Sequence, residues 1–474
     1  MTGLENVPYQ AVQSVNDLSD LDDLNLSTGK MELKGKKVMV VGLARTGIET
    51  VRFLVGRDAQ VLVSDCKSEK ELESEMRVLA PLPVRFLLSG QETSWLEGVD
   101  LVVPSPGVPL ENPLLHEATK RGIDILSEIE LAYRFLQAPL VAVTGTNGKS
   151  TTTSLIGEVL KAGGLKVFVG GNIGAPLIGF VSRDWDWGVV EVSSFQLEWV
   201  EQFRPKIALL LNLTEDHLDR YPSFASYCGA KERIFRSQRE GDIAVLNRDD
   251  PLVWAMTERI RARVISFGWG EVDEGVYTKG GEIIWKGSAG EERFPLARVK
   301  IQGVHNVENL MAAVAVAKSI GFRGDIIQRV IEAFSGLEHR LEFVREKEGV
   351  RFYNDSKGTN VGAVVKSLAS FPGQVILIAG GIDKGGDYQV LEDEVRRKVK
   401  KMILFGAAKE IIRRALGHLT ETVVVQTLEE AVQEAARSSH AGDVVLLSPA
   451  CSSFDMFQNY AERGRVFKNL VWNL

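Results

Sequence analysis

The amino-acid sequence predicts an α/β protein built from three domains. Its 474 residues are too many for one ordinary domain, and a content of 45% hydrophobic and 25% charged residues is typical of a folded globular chain. Short apolar runs alternate with segments of helical periodicity, and many of these runs end in a glycine or a polar loop. This alternation predicts parallel strands joined by helices, with functional loops at the carboxyl ends of the strands.

Charge, hydropathy and cysteine content exclude several classes of protein. The net charge of −7 argues against a nucleic-acid-binding surface, and no apolar run approaches the roughly 20 residues that span a bilayer. Cys66, Cys228 and Cys451 are too few and too far apart for a disulfide framework, so a reducing cytoplasm is the expected location. Residues 1–33 are acidic, have no signal-peptide pattern, and are predicted to form a flexible extension.

The first domain is predicted over residues 34–137 and is Rossmann-like. An apolar run at residues 38–41 leads into G-L-A-R-T-G, a degenerate dinucleotide fingerprint that begins at Gly42 and ends at Gly47. Such a turn presents backbone N–H groups to a phosphate, and Asp65 after the next run can meet a ribose or a ring. A tight turn that binds no ligand is the alternative interpretation.

The second domain, predicted over residues 138–336, opens with the most informative segment of the chain. The apolar run at residues 140–143 feeds T-G-T-N-G-K-S-T (residues 144–151) and then an amphipathic helix. A glycine-bearing turn at a helix N-terminus attracts polyphosphate, Lys149 can neutralise the β and γ phosphates, and Ser150 or Thr151 can hold Mg²⁺. Val143 stands where the general P-loop pattern has its first glycine, and a plain turn is the alternative.

Two further strand ends in this domain carry candidate metal ligands. Glu191 follows two valines near the end of the run at residues 188–192. His217 lies among acidic residues shortly after the run at residues 207–211, with Asp216 able to orient it. Because the carboxyl ends of parallel strands share one edge of a sheet, both are expected near the phosphate-binding loop. The alternatives are a surface or capping acid for Glu191 and a structural histidine for His217.

Lys231 stands out because of helical spacing. Phe224, Cys228, Lys231 and Phe235 fall at i, i+4, i+7 and i+11, which predicts one stripe of a helix. A charged lysine on an apolar stripe is costly to desolvate. Either its side chain reaches water, or its neutral amine reacts with CO₂ to give a carbamate that presents carboxylate-like oxygens to Mg²⁺.

The third domain is predicted over residues 337–474 as a doubly wound α/β unit. The remaining candidate residues lie in this domain and around its junction with the second domain. Asn306 and Asn309 share a helix face that can meet an adenine edge, although Asn306 also suits a helix N-cap, and Arg340 can clamp a phosphate. Three polar loops follow strands at residues 354–360, 380–384 and 447–455. Their lysines and serines suit an anionic second substrate.

These motifs together, over residues 34–474, resemble the Mur ligase family of amide-forming enzymes of cell-wall synthesis. T-G-T-N-G-K-S-T marks the whole family, whereas T-E-D-H-L-D-R-Y-P (residues 214–222), N-D-S-K-G-T-N (354–360) and L-S-P-A-C-S-S-F-D (447–455) are similar to its D-glutamate-adding branch. The resemblance implies that ATP and Mg²⁺ activate the carboxylate of UDP-N-acetylmuramoyl-L-alanine as an acyl phosphate, which the amine of D-glutamate attacks. It also implies a cytoplasmic monomer that serves peptidoglycan synthesis, cell shape and cell division.

The resemblance also implies roles for individual residues. Lys149, Glu191, His217 and Lys231 are catalytic, the last as a carbamate that joins Ser150, Glu191 and His217 at the metal. ATP is bound by Gly145, Thr146, Asn147, Gly148, Lys149, Ser150, Thr151, Asn306, Asn309, Arg340 and Asp355. The substrates contact Gly42, Thr46, Gly47, Asp65, Lys67, Asn172, Ser193, Gln196, Thr359, Lys384, Ser453, Phe454 and Tyr460. Arg45, Cys66 and Lys67 depart from the residues usual in the uracil-binding part of this branch.

Three alternatives remain open from the sequence. A ligase of the same family could add another amino acid or act on folate. A nicotinamide-dependent oxidoreductase could use residues 42–47, although it leaves the loop at residues 144–151 unexplained. A nucleotide-binding module without catalytic activity would keep that loop but transfer nothing.

Overall fold

The structure is a computed structural model that describes residues 31–218, 220–288, 290–301 and 303–474. Apart from residues 31–33, the predicted acidic extension lies outside the described residues. The chain divides into two compact units, the first of which runs up to Arg298 and includes Glu308–Ala333. The second unit comprises Val299–Val307 and Phe334–Leu474. The domain boundaries expected at residues 137 and 336 stay predictions.

The first sheet of unit 1 has five parallel strands in the order β3-β2-β1-β4-β5. Its strands are β1 (Lys37–Val41), β2 (Gln60–Asp65), β3 (Val84–Leu88), β4 (Leu101–Pro104) and β5 (Asp124–Ile125). Its helices are α1 (Arg45–Val55), α2 (Glu73–Leu79), α3 (Pro113–Arg121) and α4 (Glu128–Tyr133). The central strand β1 is buried from Val38 to Val41, as its unbroken apolar run predicts for a sheet covered on both faces.

The second sheet of unit 1 has nine strands in the order β14-β13-β12-β11-β10-β9-β6-β8-β7. Its strands are β6 (Leu140–Thr144), β7 (Val167–Gly171), β8 (Trp187–Glu191), β9 (Ile207–Leu210), β10 (Ile243–Asn247), β11 (Arg263–Gly268), β12 (Gly275–Lys279), β13 (Glu282–Gly287) and β14 (Gly290–Pro295). The glycine-rich, alternating sequence pattern of residues 241–300 predicts an antiparallel insertion in this domain. This is wrong for β10 and β11, which extend the parallel sheet; only the pairs β12–β13 and β13–β14 are antiparallel.

Helices pack beside this second sheet or follow its strands. They are α5 (Lys149–Ala162), α6 (Phe224–Glu232), α7 (Pro251–Trp254), α8 (Val304–Ile320) and α9 (Gly324–Ala333). Helix α8 begins two residues earlier than its predicted start at Asn306, so Asn306 lies within the helix and is not its N-cap. Gly321 follows the helix with a φ of 96°, which agrees with the predicted glycine stop.

Unit 2 contains a six-stranded sheet in the order β15-β16-β20-β17-β18-β19. Its strands are β15 (Glu342–Lys347), β16 (Val350–Asn354), β17 (Val375–Gly380), β18 (Val399–Phe405), β19 (Glu421–Val424) and β20 (Val444–Leu447). Its helices are α10 (Val361–Ala369), α11 (Glu392–Lys398), α12 (Lys409–Leu416), α13 (Leu428–Ser438) and α14 (Tyr460–Trp472). All pairs except β15–β16 are parallel, so the ends of β16, β17 and β20 share one edge, as predicted.

These sheets confirm the α/β class predicted from alternating strands and helices. None of the helices in the described residues combines the length and apolar character needed to cross a membrane.

Helix α4, in the segment between the two sheets of unit 1, carries two buried carboxylates. Glu130 accepts hydrogen bonds from the backbone N–H groups of Glu201, Gln202 and Phe203 and from Arg134. Glu128 accepts one from the N–H of Ile178 at 2.6 Å, while its second oxygen is buried without a hydrogen-bond partner among the described residues. Burial raises the pKa of Glu128 from 4.5 to about 7.

This raised pKa makes the stability of the protein depend on pH. In the unfolded chain Glu128 ionises near its ordinary pKa, whereas the folded protein keeps the proton up to about pH 7, so stability falls as pH rises through this window. We expect Glu128→Gln, which mimics the protonated form, to gain about 3 kcal/mol relative to the parent protein between pH 5 and pH 8. Denaturant unfolding at both pH values measures the difference.

The matched control for this prediction is Glu158→Gln, because Glu158 is a half-exposed residue paired with Lys161 on helix α5. Its stability relative to the parent is expected to change by less than about 0.5 kcal/mol over the same interval. An equal pH response in the two variants would contradict the assignment to Glu128.

Candidate active site

The loop between β6 and α5 is shaped by backbone and side-chain contacts from the neighbouring strand end. Thr146 N–H donates to Asn212 O at 3.0 Å, Asn147 N–H donates to Asn212 Oδ1 at 2.8 Å, and Asn212 Nδ2 donates back to Asn147 O. Gly148 has a φ of 85° and lies immediately before the helix, a backbone conformation that glycine adopts without strain. The loop therefore presents the N-terminus of α5 as a preformed site for an anion.

Two lysines meet at a single carbonyl of this loop. Lys149 Nζ donates to Gly145 O at 2.9 Å and to Thr146 O at 2.8 Å, and Lys231 Nζ donates to the same Gly145 O at 2.9 Å. Lys231 is only 2% exposed. Its burial, and then the positive charge of Lys149, lower the pKa of Lys231 well below 10.5, while Asp216 and Glu191 act in the opposite direction. The surroundings of Lys231 therefore favour the neutral form of its amine beside the loop.

The helix around Lys231 differs from the predicted stripe. Helix α6 ends at Glu232 and continues as a 3₁₀ turn, so Phe235 does not fall on a continued α-helical stripe. Phe224 and Cys228 are only half-buried, and the most buried face is instead formed by Tyr227, Lys231 and Ile234. The prediction that Lys231 lies on the apolar face of a helix is confirmed, and its burial rules out the alternative in which its side chain reaches water. The buried stripe, however, is centred one residue earlier on the helix.

Glu191 lies at the end of β8, next to β6 in the sheet, as predicted. Its Oε1 accepts a hydrogen bond from Asn172 Nδ2 at 2.7 Å. Its Oε2 is buried and has no hydrogen-bond partner among the described residues, and the same is true of Thr151 Oγ1. A buried, unpartnered carboxylate oxygen is costly unless a cation or a proton satisfies it, so this donor set fits a hard cation such as Mg²⁺.

His217 is held in a turn with a φ of 55° and has a side chain that is 44% exposed. Its Nε2 lies 3.7 Å from Asp216 Oδ2, and its ring packs edge-on against Phe195 with a centroid separation of 4.7 Å. Within the described ranges, no group of three or more His, Cys, Asp or Glu side chains is arranged to hold a metal ion. A metal site here must therefore draw on hydroxyl, phosphate or modified-lysine oxygens as well.

A small cleft at the surface lies between the loop after β4 and the segment after β8. Ser105 lines one side and Gln196 the other. Gln196 Oε1 accepts from both the N–H and the Oγ of Ser193, so these two predicted substrate residues form one local unit. Arg220 forms a two-point ion pair with Glu198 and lies over the Phe195 ring at 4.2 Å.

The predicted phosphate turn of the first sheet adopts a tight βα geometry. Gly42 has a φ of 90°, and a Cβ at Gly47 would overlap the carbonyl oxygen of Gly42, so the turn needs glycine at its last position. Asp65 Oδ2 accepts from Leu43 N–H at 2.7 Å and Oδ1 from Lys67 N–H at 3.0 Å. Asp65 therefore holds the two loops together. Thr46 is half-buried and Lys67 is exposed at this edge.

The residues predicted to hold the nucleotide fall in both units. Asn309, in unit 1, accepts a hydrogen bond from Thr152 at 3.1 Å and closely approaches Gly148. Asn306, Arg340 and Asp355 belong to unit 2. Asp355 is 4% exposed and accepts from Ser367 Oγ and Ser448 Oγ at 2.7 Å each, and burial raises its pKa. Its carboxylate thus organises the edge of the unit 2 sheet.

The three predicted loops of unit 2 meet around a fully buried arginine. Arg463, on α14, donates to Ser356 O at 2.8 Å, to Cys451 O at 3.2 Å and to Gly380 O at 3.4 Å, which joins the loops after β16, β20 and β17. The predicted substrate residues of these loops differ in burial: Ser453 is buried, Thr359 and Tyr460 are half-buried, and Lys384 and Phe454 are exposed.

Two residues that shape these sites were not singled out from the sequence. Asn212 holds the phosphate-binding loop, and its only signal is that a polar residue directly follows a buried strand. Arg463 carried a clearer signal. It shares helical spacing with Phe467 and Val471, and a charged residue on a buried stripe is the same pattern that identified Lys231.

Comparison with known proteins identifies the family. Residues 36–127 match the Mur ligase MurD-like N-terminal domain, residues 143–317 the Mur ligase middle domain, and residues 339–451 the Mur ligase glutamate ligase domain. A UDP-N-acetylmuramoylalanine–D-glutamate ligase of Geobacter metallireducens is 50% identical over 444 residues, which is 93% of this chain and 98% of that protein. The chain belongs to the Mur ligase family. A protein of the same name from Geotalea daltonii is 52% identical over 445 residues, or 93% of this chain and 98% of that one.

Solved structures support the Mur ligase fold. The chain is similar to a pseudomurein peptide ligase type C from Methanothermus fervidus, with a TM-score of 0.58 and 18% identity over 93% of this chain and 100% of that one. It is also similar to the UDP-N-acetylmuramate–alanine ligase from Thermotoga maritima, with a TM-score of 0.57 and 20% identity over 92% of this chain and 99% of that one. The three-domain Mur ligase architecture predicted from the motifs is thus confirmed.

Proposed function

We propose that this protein joins D-glutamate to UDP-N-acetylmuramoyl-L-alanine, at the expense of ATP and through an acyl phosphate, in peptidoglycan precursor synthesis. Two observations together support the proposal. The chain has a phosphate-binding loop that carries a lysine. Relatives named UDP-N-acetylmuramoylalanine–D-glutamate ligase are about half identical to it over nearly the whole chain. A nicotinamide oxidoreductase explains neither feature. A cytoplasmic monomer remains part of the proposal.

The chemistry needs an activated carboxylate, because a free carboxylate would have to expel oxide. Transfer of the γ-phosphoryl group to the carboxylate creates a good leaving group, and the amine of D-glutamate then displaces phosphate to form the amide. Lys149 is placed to stabilise the charge on the transferred group, since its Nζ is fixed at the loop by Gly145 O and Thr146 O. Backbone N–H groups at the start of α5 bind the remaining phosphates, and Ser193 and Gln196 line the substrate cleft.

We propose that Glu191, whose buried Oε2 lacks a hydrogen-bond partner among the described residues, holds Mg²⁺ together with Ser150 and His217. When bound, the metal would neutralise charge on the phosphates during transfer. Asn172 holds the other Glu191 oxygen at 2.7 Å and so fixes the orientation of the carboxylate.

We further propose that Lys231 carries a carbamate. Burial and the nearby positive charge of Lys149 lower the pKa of Lys231 well below its ordinary value and so favour the neutral amine, whose nitrogen can attack the carbon of CO₂ and release one proton. The product is anionic, so the positive charge of Lys149 beside it and a metal ion would stabilise it.

Unit 2 is proposed to bind the amino acid through Thr359, Lys384, Ser453, Phe454 and Tyr460, and to bind the nucleotide through Asn306, Arg340 and Asp355. In unit 1, Asn309 is a further proposed nucleotide residue. Gly42, Thr46, Gly47, Asp65 and Lys67 are proposed to bind the uridine diphosphate part. The three domains predicted from the sequence, residues 34–137, 138–336 and 337–474, remain part of this proposal.

A phosphate-release assay tests the reaction and its acceptor together. Purified protein with ATP, Mg²⁺ and UDP-N-acetylmuramoyl-L-alanine is expected to release phosphate when D-glutamate is added, and to form an equal amount of the amide product detected by mass spectrometry. L-Glutamate, L-lysine and a folate acceptor serve as the comparisons. Release with one of these and none with D-glutamate would assign the protein to another branch of the family, and no nucleotide consumption at all would contradict ligation.

A further inference from the structure

The loops that carry Lys384 and Ser453 are joined by backbone hydrogen bonds. Ile382 N–H donates to Ser452 O at 2.9 Å, and Ser452 N–H donates to Ile382 O at 3.1 Å, which forms an isolated antiparallel bridge between the loop after β17 and the loop after β20. The bridge fixes the backbone one residue before Ser453 and two residues before Lys384. It does not by itself fix the exposed turn that follows Ile382.

A tyrosine hydroxyl extends this connection to the turn that contains Lys384. Tyr388 is 5% exposed, and its hydroxyl donates to Asp383 Oδ1 at 2.8 Å and lies 3.2 Å from Cys451 Sγ. Asp383 Oδ1 also accepts the N–H of Gly385 at 3.2 Å. The Asp383 carboxylate therefore spans the backbone around Lys384, and the Tyr388 hydroxyl ties that carboxylate to the neighbouring loop.

The protonation states suit this arrangement. Burial raises the pKa of the Tyr388 hydroxyl, and it raises the pKa of the Cys451 thiol to about 11. Both groups therefore keep their protons at neutral pH. The hydroxyl can donate to Asp383 while it accepts from the thiol, so each hydrogen atom has one acceptor.

We propose that Tyr388 is a positioning residue for the amino-acid site, acting through Asp383 to hold Lys384 in place relative to Ser453. The inference rests on the proposed role of Lys384 in binding the anionic amino acid. An ion pair made by an exposed lysine contributes little binding free energy unless the lysine is held in place before the ligand binds. The reason is that the entropy cost of ordering its long side chain and the surrounding turn offsets the electrostatic attraction. The hydrogen bonds of Tyr388 reduce that ordering cost before the substrate arrives.

The test is Tyr388→Phe, which keeps the buried ring and removes only the hydroxyl. We expect the KM for D-glutamate to rise about fivefold, the effect of losing one ordinary hydrogen bond, with kcat and the KM for ATP changing less than about twofold. Tyr353→Phe is the matched control, because Tyr353 is another tyrosine of unit 2 and its ring packs against Phe343 and Phe371. The control is expected to leave all three parameters unchanged. Equal changes in all parameters of Tyr388→Phe would indicate a general structural role and overturn the proposal.

A double-mutant cycle separates this inference from the function on which it rests. Lys384→Ala is expected to raise the KM for D-glutamate, and adding Tyr388→Phe to it is expected to change that KM less than about twofold, because the group being positioned is gone. If Lys384→Ala leaves the KM unchanged, the proposed role of Lys384 fails. If Lys384→Ala raises the KM and the effect of Tyr388→Phe is additive, only the positioning role of Tyr388 fails.

Discussion

Lys149→Ala is expected to lower the rate of ligation by about 10³-fold, because removing a preorganised charge that stabilises a transition state has effects of this size. Lys149 is the first residue of α5, and its Nζ is held by two loop carbonyls where the transferred phosphoryl group is proposed to lie. The KM for D-glutamate should change little, since the amino acid is proposed to bind other residues, in unit 2. Phosphate release and amide formation, measured at saturating substrates, report the loss.

The matched control is Lys161→Ala, because Lys161 is on the same helix and pairs with exposed Glu158. It is expected to retain full activity. Thermal unfolding of both variants checks that Lys149→Ala remains folded, although its loop loses two hydrogen bonds. Turnover by folded Lys149→Ala at the parent rate would refute the phosphate-transfer role of Lys149 and favour a different active site.

The positions of the strand-end residues in unit 1 could be predicted from the sequence, because the direction of the strands alone determines which edge of the sheet these residues reach. Parallel strands bring their carboxyl ends to one edge, so Glu191 could be placed beside the phosphate loop once its strand was recognised. Lys231 could be predicted as buried from helical spacing, because a helix face is set by local periodicity. The exact stripe could not be predicted, since the tightening of the helix into a 3₁₀ turn after Glu232 depends on tertiary packing.

Contacts between segments that are distant along the chain were beyond such reasoning. The hydrogen bonds of Asn212 with the phosphate loop and of Tyr388 with Asp383 and Cys451 depend on side-chain rotamers, which no periodicity encodes. Asp355 illustrates the same limit. Its motif suggested a ligand contact, whereas two serine hydroxyls and one backbone N–H already engage its carboxylate.

Lys231→Ala is expected to reduce ligation by about 10²-fold or more, since an electrostatic group that assists charge stabilisation is lost. If the missing group is a carbamate, short carboxylic acids such as acetate can enter the space left by the side chain and supply oxygen ligands. Activity should then recover in part as acetate concentration rises. Tyr227, whose ring packs against Lys231 Nζ at 4.7 Å, stays in place to shape that space.

Lys149→Ala provides the control for this rescue. There the missing group is a cation, so acetate is expected to restore nothing, and a common response of the two variants would indicate a general solvent effect. A readout independent of activity is the carbon-13 NMR signal of a carbamate in parent protein equilibrated with labelled bicarbonate, which Lys231→Ala should lose. Because the lowered pKa of Lys231 favours its neutral, reactive amine, we expect the signal at neutral pH, where an ordinary lysine is protonated and does not react. Rescue without that signal would mean that the site accepts a carboxylate but that Lys231 does not supply one.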